Sequence, residues 1–308
     1  MNDATPITPV EGASDRRDQP AGSQGKPKPS RFNQIKPFLA PILITIILLA
    51  GEITHRILQS YWYTALAIVT AFALEVALSY FTTGRFPHLA SAYITGISVG
   101  IIVRSPYPSL YALCSILSIS SKYALRVRGR HLWNPSNLGI SILLFLIPES
   151  ISPLSLEWGN DRWVPMIILG FGFLILFTLG RLHVTLTYVV AFSALSIVRS
   201  ILTERPLESE MGLLTAPSYL LFMFFMITDP KTTPRTWPRQ IAVTVLVAVV
   251  ETILRLFENV HAPYYALFIV FPITNLLEIW WDARCAKQIQ PQMNTDKHRW
   301  ERDAESLG

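Results

Sequence analysis

The amino-acid sequence predicts an all-α, polytopic membrane protein of about ten transmembrane segments in two inverted five-helix repeats. Three observations predict it. Of the 308 residues, 51% are hydrophobic and only 15% are charged, whereas a soluble domain carries roughly 25% charged residues. The apolar residues gather into ten runs of helical length or slightly less. In each group of five, the third run is short and ends at proline.

Residues 1–31 are rich in Pro, Gly, Ser, Asp and Arg, cannot bury a core, and read as a disordered cytoplasmic tail. The first apolar run begins only after Lys36, which argues against a signal peptide. A spanning helix needs roughly 20 apolar residues, within about 17–25. Runs of that kind cover 37–57, 62–81, 163–180, 184–202, 239–256 and 262–281. Shorter or broken runs cover 89–103, 109–121, 137–148 and 216–228. The first repeat is expected over 32–150, the second over 151–284, and a cytoplasmic tail over 285–308.

Charge orients the segments. With the N-terminal tail inside, Arg85, the Lys122–Arg130 cluster, Arg181, Lys231, Arg235 and Arg239 stay inside. Glu149, Glu157, Asp161, Glu204, Glu208, Glu210 and Glu258 fall on the other side, with Arg56, Arg104, Arg162 and Arg205 among them. The Lys/Arg bias favours a multi-pass protein of the cell (inner) membrane with both termini cytoplasmic. The net charge of +5 sits in a few loops and the tail, so it points to the lipid bilayer and not to nucleic acid. Cys114 and Cys285 make no disulfide framework, CxxC or zinc spacing. His131 and His183 stand in separate turns, and no metal site is expected.

An odd number of segments per half places the halves in opposite orientations. LASAYITGISVGIIV ends in RSPYP, and SYLLFMFFMIT ends in DPKTTP. Short segments at corresponding places suggest discontinuous helices around a central site, because broken backbone at membrane depth is tolerated only where protein or water satisfies it.

The stretch Lys122–Gly139, KYALRVRGRHLWNPSNLG, lies between two apolar runs. It reads either as a cationic, hydrogen-bonding mouth or as a positive loop that sets topology. Arg126, Arg128 and Arg130 can hold a phosphate or a flavin edge through their forked donors, or contact lipid headgroups. Asn134 and Asn137 donate and accept, which suits an uncharged ring or a dehydrated ion, or they cap the next helix. Asp229-Pro230 ends an apolar helix and leaves carbonyls free. Asn134 and Asp229 are expected to line one shared site, within roughly 15 Å of each other, about the span of one bound ring and its side chains.

Four carboxylates lie in or beside apolar runs: Glu52, Glu75, Glu251 and Glu278. An ionisable group at membrane depth is costly and faces the bundle interior, pairs or titrates. Glu251 and Arg255 are four residues apart and can pair on one helix. Glu75 has no such neighbour, which makes it the better candidate for an ion path through Glu75, Asp229 and Glu251.

FFMITDPKTTP (224–234), followed by a helix, Arg255 and a last helix with Asn275 and Asp282, resembles the NqrB/RnfD family, whose pattern there reads approximately FFxATDPxTxP. The family's first-half pattern, NPFNPAxxG, is matched by position and spacing at Asn134, Pro135, Asn137 and Gly139. SAYITGISVGI (91–101) and FALEVAL (72–78) are similar to its third and second segments, so the resemblance spans roughly residues 40–282. The Arg-Gly-Arg-His-x-x-Asn-Pro form is closest to an UnbU-like offshoot associated with enediyne biosynthesis. The resemblance implies a membrane subunit of a sodium-pumping NADH:quinone reductase or Rnf complex, with other membrane or redox subunits as partners. Together with the donor chemistry above, it points to a cofactor site at Arg126, Arg128, Arg130, His131, Asn134, Asn137, Thr228 and Asp229. Respiratory members attach FMN covalently to a threonine in a Ser-Gly-Ala-Thr sequence on a loop after the first half. Here that loop, ESISPLSLEWGNDRW (149–163), has no threonine, and LLTAPS (213–218) lacks the glycine. No covalent FMN is therefore expected; a noncovalent flavin, riboflavin or FMN, and a cofactor-free role both stay open. Three functions stay open: electron transport through a flavin or quinone coupled to ion movement, transport of a small solute without redox chemistry, and a membrane scaffold for a biosynthetic partner.

Overall fold

A computed structural model describes residues 38–154 and 163–305. The tail 1–31, and Glu157, Asp161 and Arg162 with most of the 149–163 loop, lie outside the described residues. The first half holds α1 (Leu39–His55), α2 (Tyr61–Thr83), α3 (Ala90–Ile102), α4 (Pro108–Ala124) and α5 (Pro135–Leu146). The second holds α6 (Trp163–Thr178), α7 (Leu182–Thr203), α8 (Leu207–Gly212), α9 (Pro217–Leu221), α10 (Trp237–Leu256) and α11 (Ala262–Glu305). Every expected segment is helical, and the chain is an all-α polytopic membrane protein.

Length separates the segments. Tyr61–Thr83, Leu182–Thr203 and Ala262–Cys285 are each long and apolar enough to cross a membrane, and the broken pair Leu207–Thr215 plus Pro217–Met226, bent by 55°, makes a fourth. Helices α3 and α5, with 13 and 12 residues, are too short. At about 1.5 Å per residue they reach roughly 20 Å, against a hydrocarbon core of about 30 Å. By length alone, neither crosses that core as a single helix.

The expected run 216–228 is the most altered. Pro217 starts a five-residue α-helix that passes into a π-helical turn, Phe222–Met226. π-Turns loosen the carbonyl ladder and concentrate at functional sites. The loop before it contains α8 and a 3₁₀ turn, Leu213–Thr215, which hydropathy did not reveal because LESEMG is polar. Residues 285–305, expected as a tail, continue α11.

Two short antiparallel ladders pin the loops. β1 (Val103–Arg104) pairs with β4 (Ser152–Pro153). β2 (Arg126–Val127) pairs with β3 (Arg130–His131), so the basic strip is a tight hairpin. Arg128 and Gly129 at its tip both take positive φ, 51° and 79°, which glycine adopts at little cost.

In the first half, α2 packs on α3 and α4, and α4 on α5. In the second, α7 packs on α10, and α10 on α11. Across the halves, α1 meets α6 and α5 meets α11. The α4–α5 contact is close because Gly139 has no side chain: a Cβ there would stand 2.6 Å from the Cys114 carbonyl oxygen. Small residues are the usual means of close helix approach in a bilayer.

Candidate functional site

Asn134 is the N-cap of α5, with Pro135 at the first helical position. Its Oδ1 accepts from the Asn137 backbone N–H at 3.1 Å and from the Ser136 hydroxyl at 2.9 Å. Its Nδ2 points the other way, 3.4 Å from the Phe225 and Met226 carbonyl oxygens and 3.4 Å from Asp229 Oδ2. Capping and cross-half bonding are therefore both done by one amide. The π-turn supplies the carbonyls, and the asparagine donor satisfies them at depth, as lipid cannot.

Asp229 is held in its turn by the Lys231 N–H on Oδ1 at 3.1 Å and by the Thr232 hydroxyl on Oδ2 at 3.3 Å. Burial raises its carboxyl above the usual range, while Lys231 and the Thr232 hydroxyl pull the other way. Thr228 turns its hydroxyl back to the Phe224 carbonyl at 2.6 Å. The NPSN and TDP turns, 95 residues apart in sequence at Asn134 and Asp229, meet directly.

A cavity of about 550 Å³ lies between the halves at this junction. Ser91, Ile94 and Thr95 of α3, Lys122, and residues 131 and 134–136 line one side. Leu176, Leu179, Arg181, Phe224, Phe225 and Thr228–Lys231 line the other. It adjoins a space of about 500 Å³ whose lining carries Arg126, Arg130, Arg181, Lys231 and Arg235 and no carboxylate. His131 borders both spaces. Burial first, then Arg126, Lys231 and Lys122, push its imidazole down to about 4, so it is neutral at physiological pH. Its Nδ1 has no hydrogen-bond partner among the described residues.

Several expected site residues are placed differently. Arg128 is exposed at the hairpin tip and borders an apolar groove with Leu276, Leu277 and Trp280, away from the cavity. The tight turn aims alternate arginines in opposite directions, which corrects the reading of three equivalent arginines. Arg130 is bound in an ion pair with Glu278 and also donates to the Thr233 carbonyl and Asn275 Oδ1. It braces α11 as well as bordering the mouth. Asn137 donates to the Tyr264 carbonyl at 3.1 Å and joins α5 to α11 without lining the cavity. Lys122, one of the four cations of the basic strip, does line the cavity, and so do Lys231 and Arg181, which were not among the expected cofactor residues.

Of the three expected ion-path carboxylates, Asp229 lines the cavity, Glu75 stands behind it at Lys122, and Glu251 borders neither space. Glu75 is not solitary: Lys122 Nζ lies 2.9 Å from it, and the Tyr123 hydroxyl 3.2 Å. Because Lys122 also lines the cavity, Glu75 stands one side chain behind it. Glu251 does not pair with Arg255. Its two oxygens accept from the Tyr188 and Tyr219 hydroxyls at 2.7 and 2.9 Å. Arg255 turns instead to Glu210 on α8. Among the described residues, no group of three His, Cys, Asp or Glu side chains has the geometry of a metal site.

The cavity's size, its paired phenylalanines, a neutral His131 with a free ring nitrogen, and an all-cationic mouth fit a flat aromatic ring bearing an anionic tail. Residues 157–286, which carry the TDP turn and the last two helices, match the model of the NQR2, RnfD, RnfE family. No curated protein matches the chain.

Proposed function

From the match of residues 157–286 to the NQR2, RnfD, RnfE family model, we propose that this multi-pass protein is a membrane subunit of an electron-transport complex. In this reading it holds a noncovalent flavin, or a quinone, between its halves and couples electron flow to ion movement. The observation that carries the reading is the 3.4 Å meeting of Asn134 with Asp229 beside the cavity and its cationic mouth. A flavin would supply hydride or single-electron chemistry there. Arg126, Lys231 and Arg235 would take a phosphate tail, His131 and Asn134 would meet ring heteroatoms, and Phe224 and Phe225 would exclude water. The family's partners are other membrane subunits, and the same is proposed here.

The two halves are read as inverted repeats. Contacts of α1 with α6 and of α5 with α11 support this, because elements on a pseudo-twofold axis meet their own counterparts. Both termini are placed in the cytoplasm by the Lys/Arg bias. In a Cys285→Ser background, a cysteine at Glu208 should react with an impermeant reagent in whole cells, and one at Gly129 should not. The reverse pattern would end this orientation.

The visible spectrum of the purified protein tests the main reading. A yellow preparation whose flavin is released by acid is expected, with intact mass equal to that of the polypeptide apart from ordinary N-terminal processing. Asp229→Asn should lower flavin occupancy severalfold while leaving the helix content unchanged. A colourless wild-type protein would favour solute transport without redox chemistry, a reading that the buried Glu251, held by two phenols, supports independently.

A further inference from the structure

A second cavity, of about 730 Å³, lies far from the first. Arg181 borders the first cavity just before α7 begins, and Arg199 near the end of α7 borders the second. At about 1.5 Å per residue the helix places them roughly 27 Å apart, about the thickness of the hydrocarbon core. The long α10 agrees, starting beside Arg235 at the first mouth and ending with Arg255 in the second cavity.

The ion groups of this second cavity are incompletely matched. Its lining has three guanidinium groups (Arg199, Arg205, Arg255) against two carboxylates (Glu210, Glu258). Arg205 and Glu258 form an exposed pair. Arg199 and Arg255 both bind the single carboxylate of Glu210, and the three side chains are between 4% and 8% exposed. Among the described residues Arg199 Nε finds no acceptor, and neither the Tyr264 hydroxyl nor His261 Nδ1 has a partner. All three residues line the cavity. Glu251 does not line it, and both its oxygens are occupied by phenols. Rings of Tyr188, Phe192, Tyr219, Phe222 and Tyr264 pack into a plug beneath it.

We infer that this cavity is a second ligand site, one for a phosphate group, with Arg199, His261 and Tyr264 as its recognition residues. Buried donors left without partners are costly. The Arg199 Nε–H and the Tyr264 hydroxyl are two such donors, and a His261 tautomer with its proton on Nδ1 would add a third; around one cationic space they suit the several oxygens of a phosphate. Leu213, Ala216 and Val260 give the same cavity an apolar wall. The phosphate can therefore come from a lipid headgroup or from a free solute.

The test uses the full chain in phosphatidylcholine nanodiscs at fixed ionic strength, with thermal unfolding followed by tryptophan fluorescence. Inorganic phosphate and dioctanoyl phosphatidylglycerol are titrated separately. A saturable rise in the midpoint with either is expected, and the probe that produces it identifies the source. Arg199→Lys keeps the charge but loses the fork, and should weaken the apparent affinity about tenfold. Tyr264→Phe removes a hydroxyl with no protein partner; it should weaken the affinity about threefold or more without lowering the ligand-free midpoint. If Arg199→Lys does not fold, Tyr264→Phe decides alone. No shift with either probe overturns the site. So does a wild-type response in every folded variant of this cavity, or a shift lost in Lys231→Gln alone, which would put the phosphate at the first cavity's mouth.

Discussion

Both halves bury an acid at the contact between their second and fourth helices, and they neutralise it differently. In the first half Glu75 comes from α2, and Lys122 of α4 answers it with an ammonium at 2.9 Å. In the second half the acid, Glu251, comes from α10; Tyr188 of α7 and Tyr219 of α9 answer with phenols. An ion pair fixes both charges, since removing one partner strands the other in a medium that cannot solvate it. Phenols donate to a carboxylate but do not require it to be charged, so the second half can gain or lose a proton without losing a salt bridge. The first half closes its acid in an ion pair behind the cavity, and the second holds its acid with neutral donors.

The largest effect should come from breaking that ion pair. Lys122→Met leaves Glu75 unpaired and should destabilise the protein by about 3–5 kcal/mol, read as a fall in the thermal midpoint. Adding Glu75→Leu should recover most of the loss, because a well-packed apolar pair often matches a buried ion pair. A Lys122→Met protein as stable as wild type would erase the distinction between the halves.

A second contrast lies in how the fourth and fifth helices approach. In the first half they close on Gly139, where a Cβ would meet Ser118 Oγ at 2.2 Å and the Cys114 carbonyl oxygen at 2.6 Å. The second half has no glycine between Trp237 and Cys285, so α10 and α11 pack without a glycine at their contact. Gly139→Ala should cost about 1–3 kcal/mol by overpacking and, by shifting α5, should loosen the Asn134–Asp229 junction. Unchanged stability would show that α4 and α5 have room to part.

Much of this was legible in the sequence, and the misses share a cause. Hydropathy located the helices because a run of apolar residues needs no knowledge of its neighbours. The paired NPSN and TDP motifs pointed to one site, and Asn134 and Asp229 do meet. What failed was direction and partnership. Arg255 is spaced to pair with Glu251, yet Glu210, on a helix too polar and short for hydropathy to find, takes it. Lys122 is 47 residues from Glu75 and reaches it only because α2 and α4 pack together. Arg128 looked equivalent to its neighbours until the positive φ values of the hairpin tip turned it outward. The π-turn left no separate mark, since FMFFM suits any buried helix.

Glu251→Gln sharpens the comparison with a smaller expected effect. The amide keeps the shape and still accepts one phenol, but its NH₂ faces the other donor. The cost should be about 1–1.5 kcal/mol, the value of one hydrogen bond, well below that of Lys122→Met. If coupling to ion movement depends on Glu251, the same variant should lose it while flavin binding is retained. A loss of stability equal to that of Lys122→Met would mean that Glu251 is a fixed charge after all.

The smallest effect concerns the mouth, where His131 is held neutral by burial and by Arg126, Lys231 and Lys122, with its pKa lowered to about 4. A depressed histidine pKa means that the fold favours the neutral ring. That contribution is complete above the ordinary value of about 6.5 and is lost as pH falls from there toward about 4. Asp229 contributes with the opposite sign: burial favours its protonated form, so lower pH relieves it. Wild-type stability across this window therefore mixes the two, and the difference between wild type and His131→Gln isolates the histidine. That difference should be flat above pH 7 and change by on the order of 1 kcal/mol between pH 6.5 and 4, since the mouth is solvated enough to screen part of the repulsion. The variant should become the less acid-sensitive of the two. Parallel curves would mean that protonated His131 is tolerated among its cations, and the mouth would then lack the excess positive potential that the binding of an anionic tail requires.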